Sequence, residues 1–368
     1  MARLEINNLC KGWDFPVVDR LDLTVEEGEF FVIVGPSGIG KTTLLRLVAG
    51  LERPDLGNVI VGGRDITTVP PYRRNVAMTF ESYALYPHLS VYENIASPLR
   101  ARRLKRQEIE RRVNEVARLL RIAPLLARRP GEISGGQKQR TALGRTLVAD
   151  PEVFLLDEPL SHLDAKIRHD LRLQFHQLEA LRSVATLYVT HDYAEALSLG
   201  DRIGVMGAGG LVQTGTAREV FTRPDTLFVA QHLGQPSINA LAARLERRDG
   251  VLGAHVATGD LWFAIDGAHA RTLDESGAQD LTVGIRPQYL HAMRPGAAED
   301  DRPRVDGTVD LFETLGSVGV LVANAGGVQL TAVTSPDRQL QHGEPVRLAL
   351  DTASFHYFAP GDGRNLLL

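Results

Sequence analysis

Several short stretches of this 368-residue chain carry residue types whose spacing suits phosphate chemistry. The first is Gly35-Pro36-Ser37-Gly38-Ile39-Gly40-Lys41-Thr42-Thr43. Glycines let successive backbone N–H groups face phosphate oxygens, and a helix start adds partial positive charge. Lys41 has the reach for β- and γ-phosphates, and the Thr42 hydroxyl suits Mg²⁺. With an apolar strand before it and an apolar helix after it, G-x-x-x-x-G-K-T implies a nucleoside triphosphate site. The second stretch is Asp157-Glu158: Asp157 suits a Mg²⁺ site through water, and Glu158 suits a general base for water attacking a γ-phosphate. The third is Ser134-Gly135-Gly136-Gln137, which opens a helix and makes a second anion-binding N-terminus. His191 closes another strand; such a histidine is either structural or a hydrogen-bonding partner of the γ-phosphate. Trp13, with Val17 and Val18 nearby, either packs on its own domain or stacks on a purine ring.

The elements that must position these residues are legible in the hydrophobic pattern. Phe30–Val34, Val153–Leu156 and Thr186–Thr190 are continuous apolar runs, as buried parallel strands require. Leu4 and Ile6, then Leu21, Leu23 and Val25, alternate with period two, which predicts antiparallel strands over 3–9 and 19–25. Val59–Gly63 and Asn75–Phe80 read as further strands, the second ending at Glu81. A helix is predicted over 100–122, with Ile109, Val113, Val116, Leu119 and Leu120 on one face. The arginines at its opening, from Arg100 to Arg112, read as a solvated face. A helix after Ser161-His162-Leu163-Asp164 presents Ile167, Leu171, Phe175 and Leu178. Tyr193–Leu199 and Arg202–Met206 read as helix and strand.

Composition bounds the rest. Hydrophobic residues make up 43% and charged residues 23%, ordinary for a globular protein, and a net charge of −4 points away from a general nucleic-acid binder. A single cysteine, Cys10, excludes an internal disulfide and a cysteine-based zinc site. The N-terminal residues do not read as a signal peptide, and no run approaches the ~18 apolar residues of a spanning helix. Near Leu233–Pro236 the long helical periodicity gives way to short strands between glycine and aspartate turns. Strands are expected at His255–Ala257, Leu261–Ile265, Val283–Ile285, Val305–Val309, Val318–Val322 and Val346–Leu350. Asp249-Gly250 and Gly259-Asp260 read as hairpin turns, and Pro295–Pro303 as a mobile loop. The expected division is 1–235, carrying every nucleotide motif, and 236–368, a small β-barrel domain.

Taken in order, these motifs resemble the ATP-binding subunit of an ABC transporter along the whole chain. Gly35–Thr42 is similar to its Walker A motif, Val153–Asp157 to its Walker B, and Ser134–Gln137 to its signature. Glu158 falls at the catalytic glutamate, Ser161–Asp164 at the D-loop, His191 at the switch histidine and Trp13 at the aromatic A-loop. The resemblance implies an α/β fold: a P-loop ATPase domain with a mostly parallel core sheet, an antiparallel β subdomain and a helical subdomain. An all-β, oligonucleotide-fold-like C-terminal domain, transport-associated and regulatory, would follow. It implies that Lys41, Glu158 and His191 act in catalysis. Trp13, Val18, Gly35 to Thr43, Glu81, Ser134 to Gln137 and Asp164 would contact ATP; Thr42, Glu81 and Asp157 would hold Mg²⁺. The working unit would be a homodimer, each ATP lying between one subunit's P-loop and the other's Ser134–Gln137. It would sit at the cytoplasmic face of a membrane on two integral-membrane permease subunits, served indirectly by an extracytoplasmic solute-binding protein.

Tyr83–His88, Pro236–Asn239, Gly284–Pro287 and Phe312–Gly316 are similar to the carbohydrate-uptake branch, the maltose and glycerol-phosphate type. The expected activity is therefore ATP hydrolysis powering uptake of a sugar or polyol-like solute. A polyamine or iron importer is the alternative. A non-transport ATPase fits less well, because long coiled coils, cysteine-rich modules and a second nucleotide motif are all missing from the sequence. Three departures stand out: Glu81 replaces the usual Q-loop glutamine, His162 a D-loop asparagine, and Ile133 the leucine that opens the signature. Glu81 either meets the metal or turns to solvent.

Overall fold

The computed structural model describes residues 2–175, 178, 181, 183–293 and 302–368, so most of the loop predicted at Pro295–Pro303 lies outside the described residues. The chain forms two compact units that divide between Arg218 and Glu219. In the first, strands β1 (Leu4–Gly12) and β2 (Pro16–Val25) pair antiparallel, as their alternation predicts. Strand β3 (Phe30–Val34), buried throughout, leads into α1 (Lys41–Ala49). Strands β4 (Leu56–Val61) and β5 (Arg64–Asp65) complete an antiparallel sheet of order β2-β1-β4-β5.

The second sheet carries the chemistry. It comprises β3, β6 (Val76–Thr79), β7 (Val153–Asp157), β8 (Ala185–Thr190), β9 (Arg202–Gly207) and β10 (Gly210–Gly215), in the order β10-β9-β3-β8-β7-β6. All neighbours run parallel except the β9–β10 pair. Helix α1 lies in a core shared by both sheets: Leu44, Leu45 and Val48 cluster with Leu4, Ile6 and Val59 and with Phe31, Leu155 and Leu187. Its C-terminal carbonyls have an unusual partner. Arg74, 2% exposed, donates to the carbonyls of Leu47, Val48, Thr67 and Val69 at 2.7–2.9 Å. A guanidinium with its charge against a helix C-terminus satisfies acceptors that the helix itself leaves open.

The predicted helix over 100–122 is two helices. Helix α2 (Val91–Ala101) starts at a capping box, Ser90 with Glu93, and α3 (Arg106–Leu119) follows after a turn with Arg103 at φ 58°. Arg102, Arg103 and Lys105 therefore lie in the turn between them. The arginine run is solvated but also paired: Arg111 bridges Glu108 and Glu115, and Arg112 reaches Glu108. Helix α4 (Gly135–Leu147) joins α2 and α3, and α5 (Ala165–Phe175) and α6 (Tyr193–Leu199) flank β8 in sequence. Leu178 lies beyond the end of α5.

The second unit begins within α7 (Ala217–Thr222), followed by α8 (Leu227–His232), so the compact unit starts before residue 236. Strand β11 (Asn239–Arg248) turns through Asp249-Gly250 into β12 (Val251–Val256), and both turn residues have positive φ, as a two-residue hairpin requires. Strand β13 (Leu261–Ala264), α9 (Gly267–Ser276) and β14 (Asp280–Ile285) follow. Strands β15 (Leu290–Ala292), β16 (Arg304–Leu315), β17 (Val318–Ala325), β18 (Val328–Thr334), β19 (Pro345–Leu350) and β20 (His356–Phe358) complete the unit. They form two five-stranded antiparallel sheets, β13-β12-β11-β14-β20 and β15-β19-β16-β17-β18. One apolar core joins them, Leu241, Val283 and Tyr357 meeting Val309, Leu321 and Leu348. The Asn239 amide ties the sheets, donating to the carbonyls of Ile285 and Thr331 and accepting from Thr331 N–H.

Candidate active site

The site follows from strand register. Val34 at the end of β3 lies opposite Thr190 of β8, and Val189 lies opposite Asp157 of β7. Thr79 of β6 lies opposite Leu156. The residues that follow these strand ends, the P-loop, His191, Glu158 and Glu81, must therefore emerge side by side at the C-terminal edge of one parallel sheet. They line one cleft of about 460 Å³, where Ser37, Gly38, Gly40, Lys41, Thr42 and Thr43 meet Glu81, Glu158, Ser161, His162 and His191.

Two glycines of the loop are required by space. A Cβ on Gly35 would lie 2.5 Å from the Met206 carbonyl oxygen. At Gly40, φ is 111° and a Cβ would lie 2.9 Å from Val17 Cγ1. Val17 lies against the P-loop, while the neighbouring Val18 is 1% exposed and packs in the core.

Lys41 Nζ donates to the carbonyls of Gly35 and Pro36 at 2.8 and 2.9 Å. Burial pulls its pKa down, and the carboxylates of Glu158, Asp157 and Glu81 oppose that shift. Thr42 Oγ1 donates to Asp157 Oδ1 at 3.1 Å. Burial pushes the Asp157 carboxyl up to about 6; the Thr42 bond counters this, and Glu81 and Glu158 add to it. Five carboxyl, hydroxyl and ammonium groups thus sit in one field, with the acidic charge in excess.

Glu158 has φ 43°, a conformation that non-glycine residues rarely adopt. Its backbone is held on both sides: Glu158 N–H donates to the Val189 carbonyl at 3.0 Å, and its carbonyl accepts from Gln139 Nε2 and Ser161 Oγ, both at 3.0 Å. Its Oε2 lies 2.8 Å from His191 Nδ1. A carboxylate and an imidazole are therefore in contact in the cleft lining, and His191 is half exposed.

Residues that the motifs do not flag support this pair. Gln139, 4% exposed on α4, also accepts from His162 N–H at 3.1 Å, which fixes the Glu158–His162 turn from below. Arg168 on α5 donates to the carbonyls of Ser161 and Leu163 at 3.1 Å and faces Asp192 at 3.7 Å. It thereby links the turn after Glu158 to the helix after His191. Buried Glu195 accepts from Tyr188 and Thr190 hydroxyls at 2.6 and 2.9 Å, and burial pushes its pKa up.

Other expected residues stand apart. Ser134 and Gln137 form a capping box at the start of α4, with Ser134 and Gly135 exposed, and neither they nor Gly136 line the cleft. Asp164 accepts from Ile167 N–H at 3.0 Å as a cap of α5. Trp13 is 61% exposed, with Lys11 Nζ 5.3 Å from its ring centroid, and does not line the cleft.

Comparison with known proteins bears directly on this arrangement. The family model described as ABC transporter matches residues 18–161, and that described as TOBE domain matches 283–358. The chain is 40% identical over 365 residues to the sn-glycerol-3-phosphate import ATP-binding protein of Yersinia enterocolitica, with 99% of each chain covered. The chain belongs to the ABC transporter family. The trehalose/maltose import ATP-binding protein of Thermococcus litoralis is 41% identical, again with 99% of each chain covered. Among solved structures, the dimeric ATP-binding cassette MJ0796 in a post-hydrolysis state bound to ADP and Pi superposes with a TM-score of 0.54 at 27% identity. That match covers 58% of this chain and 99% of that one. As an ABC protein the chain is an ATPase. Among the described residues no helix is long and apolar enough to cross a membrane.

Proposed function

We propose that this chain is the ATP-hydrolysing subunit of an importer for a sugar or polyol-like solute. The observation that carries the chemistry is the 2.8 Å contact of Glu158 with His191 in the cleft that Lys41 also lines. The solute class rests on the relatives, which are named as import ATP-binding proteins for sn-glycerol 3-phosphate and for trehalose and maltose.

In this reading the P-loop N–H groups and Lys41 hold the ATP phosphates. Glu158 takes the proton of the attacking water, and His191 positions the Glu158 carboxylate and hydrogen-bonds the γ-phosphate. The donor set Thr42, Asp157 and Glu81 fits Mg²⁺: all three offer hard oxygen, and Thr42 and Asp157 are already 3.1 Å apart. Bound there with phosphate oxygens and water, Mg²⁺ supplies charge neutralisation of the triphosphate. Asp157 at a pKa of about 6 is the group most eased by such a cation.

Ser134–Gln137 lies outside the cleft of its own chain, so we assign it to the ATP of a second copy, in a head-to-tail homodimer with Trp13 stacked on adenine. Such a dimer would work on two integral-membrane permease subunits at the cytoplasmic face, with an extracytoplasmic binding protein delivering solute. We assign residues 1–235 to nucleotide chemistry and 236–368 to a regulatory domain. A shortened chain that folds yet loses ATP affinity would end that division.

Glu158→Gln tests the core of the proposal. Turnover should fall by about 10²–10⁴-fold, the worth of general-base catalysis, while ATP affinity is retained. Phosphate release near the parent rate would remove Glu158 from that role. Uptake of radiolabelled glycerol 3-phosphate or maltose by vesicles holding the complete transporter tests the solute class, and uptake of neither overturns it.

A further inference from the structure

Helix α4 packs against the turn that carries Glu158, and one side chain of that helix bonds the turn at two points. Gln139 is 4% exposed; its Nε2 donates to the Glu158 carbonyl at 3.0 Å, and its Oε1 accepts from His162 N–H at 3.1 Å. A carbonyl at one point and an N–H at the other fix which end of the amide faces which. The approach is close: a Cβ on Gly136 would lie 3.4 Å from the His162 carbonyl oxygen and 3.5 Å from Leu163 Cδ2.

This turn needs outside support. A non-glycine residue stays at the φ of 43° found at Glu158 only where its surroundings hold it there. Part of that hold is internal, because the Glu158 carbonyl also accepts from Ser161 Oγ at 3.0 Å and from Ser161 N–H at 3.3 Å. Those bonds close the turn but move with it. Two others tie it to the fold. The peptide before Glu158 is held by β8, through Glu158 N–H on the Val189 carbonyl, and the peptide after it is held by α4, through Gln139. Arg168 reaches only further along, at the Ser161 and Leu163 carbonyls. The direction in which the Glu158 side chain leaves the backbone is therefore set jointly by β8 and Gln139.

We propose that Gln139 is a positioning residue for Glu158: by fastening the peptide after Glu158 to α4, it aims the carboxylate at the attacking water. The proposal rests on the assignment of Glu158 as general base. Without the Gln139 amide that peptide can rotate, φ relaxes out of the left-handed region, and the carboxylate swings from its place beside His191. A displacement of about 1 Å in a reacting group can cost on the order of 10²-fold in rate. ATP binding is spared, because among the described residues the Gln139 side chain bonds Glu158, Ser161 and His162 and no residue of the P-loop.

Single-turnover hydrolysis of radiolabelled ATP by the full-length protein, with Mg²⁺ and saturating ATP, tests this. Gln139→Met matches the side-chain length, suits a buried site and removes both bonds. It should lower the rate roughly 10–100-fold, with ATP affinity within about twofold of the parent. In the Glu158→Gln background the same substitution should lower the residual rate by less than about twofold, because a group that acts through Glu158 has nothing left to position. Gln139→Glu is the second variant. It accepts from His162 N–H but donates to the Glu158 carbonyl only when its carboxyl is protonated, a form that burial favours. Its rate relative to the parent should therefore rise at least about threefold as pH falls from about 8 to about 6. Equal losses in both backgrounds, a parent rate in Gln139→Met, a rate loss explained by lost ATP affinity, or a pH-independent ratio for Gln139→Glu would each overturn the proposal. A parent rate in Glu158→Gln alone would instead overturn the base assignment, and the proposal with it.

Discussion

In the N-terminal unit, parallel strands end together and Lys41, Glu81, Glu158 and His191, which follow them, enter one cleft; in the C-terminal unit the strands of both sheets run antiparallel. The handling of buried charge differs in the same way. Arg74 meets four carbonyls, Asp157 meets Thr42, and Glu195 meets two hydroxyls. Arg286, by contrast, meets two carbonyls and leaves Nε bare. The first unit spends its buried polar groups on holding loops that do chemistry. The second packs a guanidinium against neutral carbonyls inside a β core. The contrast teaches that topology decides whether sequence motifs converge.

The contrast breaks most visibly through Arg74. Arg74→Met keeps the volume but leaves carbonyls of Leu47, Val48, Thr67 and Val69 without their donor, at a cost of about 4 kcal/mol. Calorimetry should show the N-terminal transition falling while the C-terminal one stays. Parallel shifts of both would mean that the units do not melt separately.

His356 provides the matching lever in the other unit. Its folded pKa is lowered to about 4 from 6.5 by burial, then by Arg286 and His269. Between these values the unfolded chain binds the proton and the folded chain does not, so stability is full above pH 6.5 and falls as pH drops towards 4. The loss is about 3 kcal/mol at most. His356→Phe should flatten the C-terminal unit's dependence over this window; an unchanged slope would assign it to another group.

A smaller effect is expected at Glu81, whose carboxylate shares a field with Lys41 and Asp157. It repels phosphate when no cation is present, and its exposure screens that repulsion. ATP affinity should therefore depend on Mg²⁺ about threefold more strongly in the parent than in Glu81→Gln. Superimposable titrations would place the carboxylate in solvent.

Much of the N-terminal unit was legible because its chemistry needs particular residues beside apolar strands. The P-loop, Asp157-Glu158 and His191 each end a buried run, and parallel pairing does the rest. What escaped was decided by packing. Nothing in Arg73-Arg74 says which guanidinium is buried. The break at Arg103 lies among good helix formers with no glycine or proline to mark it. The Ser90–Glu93 capping box was a readable signal for α2 that the apolar pattern alone overlooks. In the C-terminal unit parts of six strands were found, but α9, β11, β15, β18 and β20 were not; in β11 the buried Asn239, Leu241 and Ala243 alternate with exposed Ala240, Ala242 and Arg244, which gives little apolar contrast.

The central claim is that one chain supplies the P-loop and another supplies Ser134–Gln137 to the same ATP. Cross-linking tests it most directly. In a Cys10→Ser, Glu158→Gln background, cysteines at Ser37 and Gln137 should form a disulfide between chains, and ATP should raise its yield several-fold on non-reducing gels. A disulfide that forms only within one chain, or between chains equally well without ATP, would contradict the account.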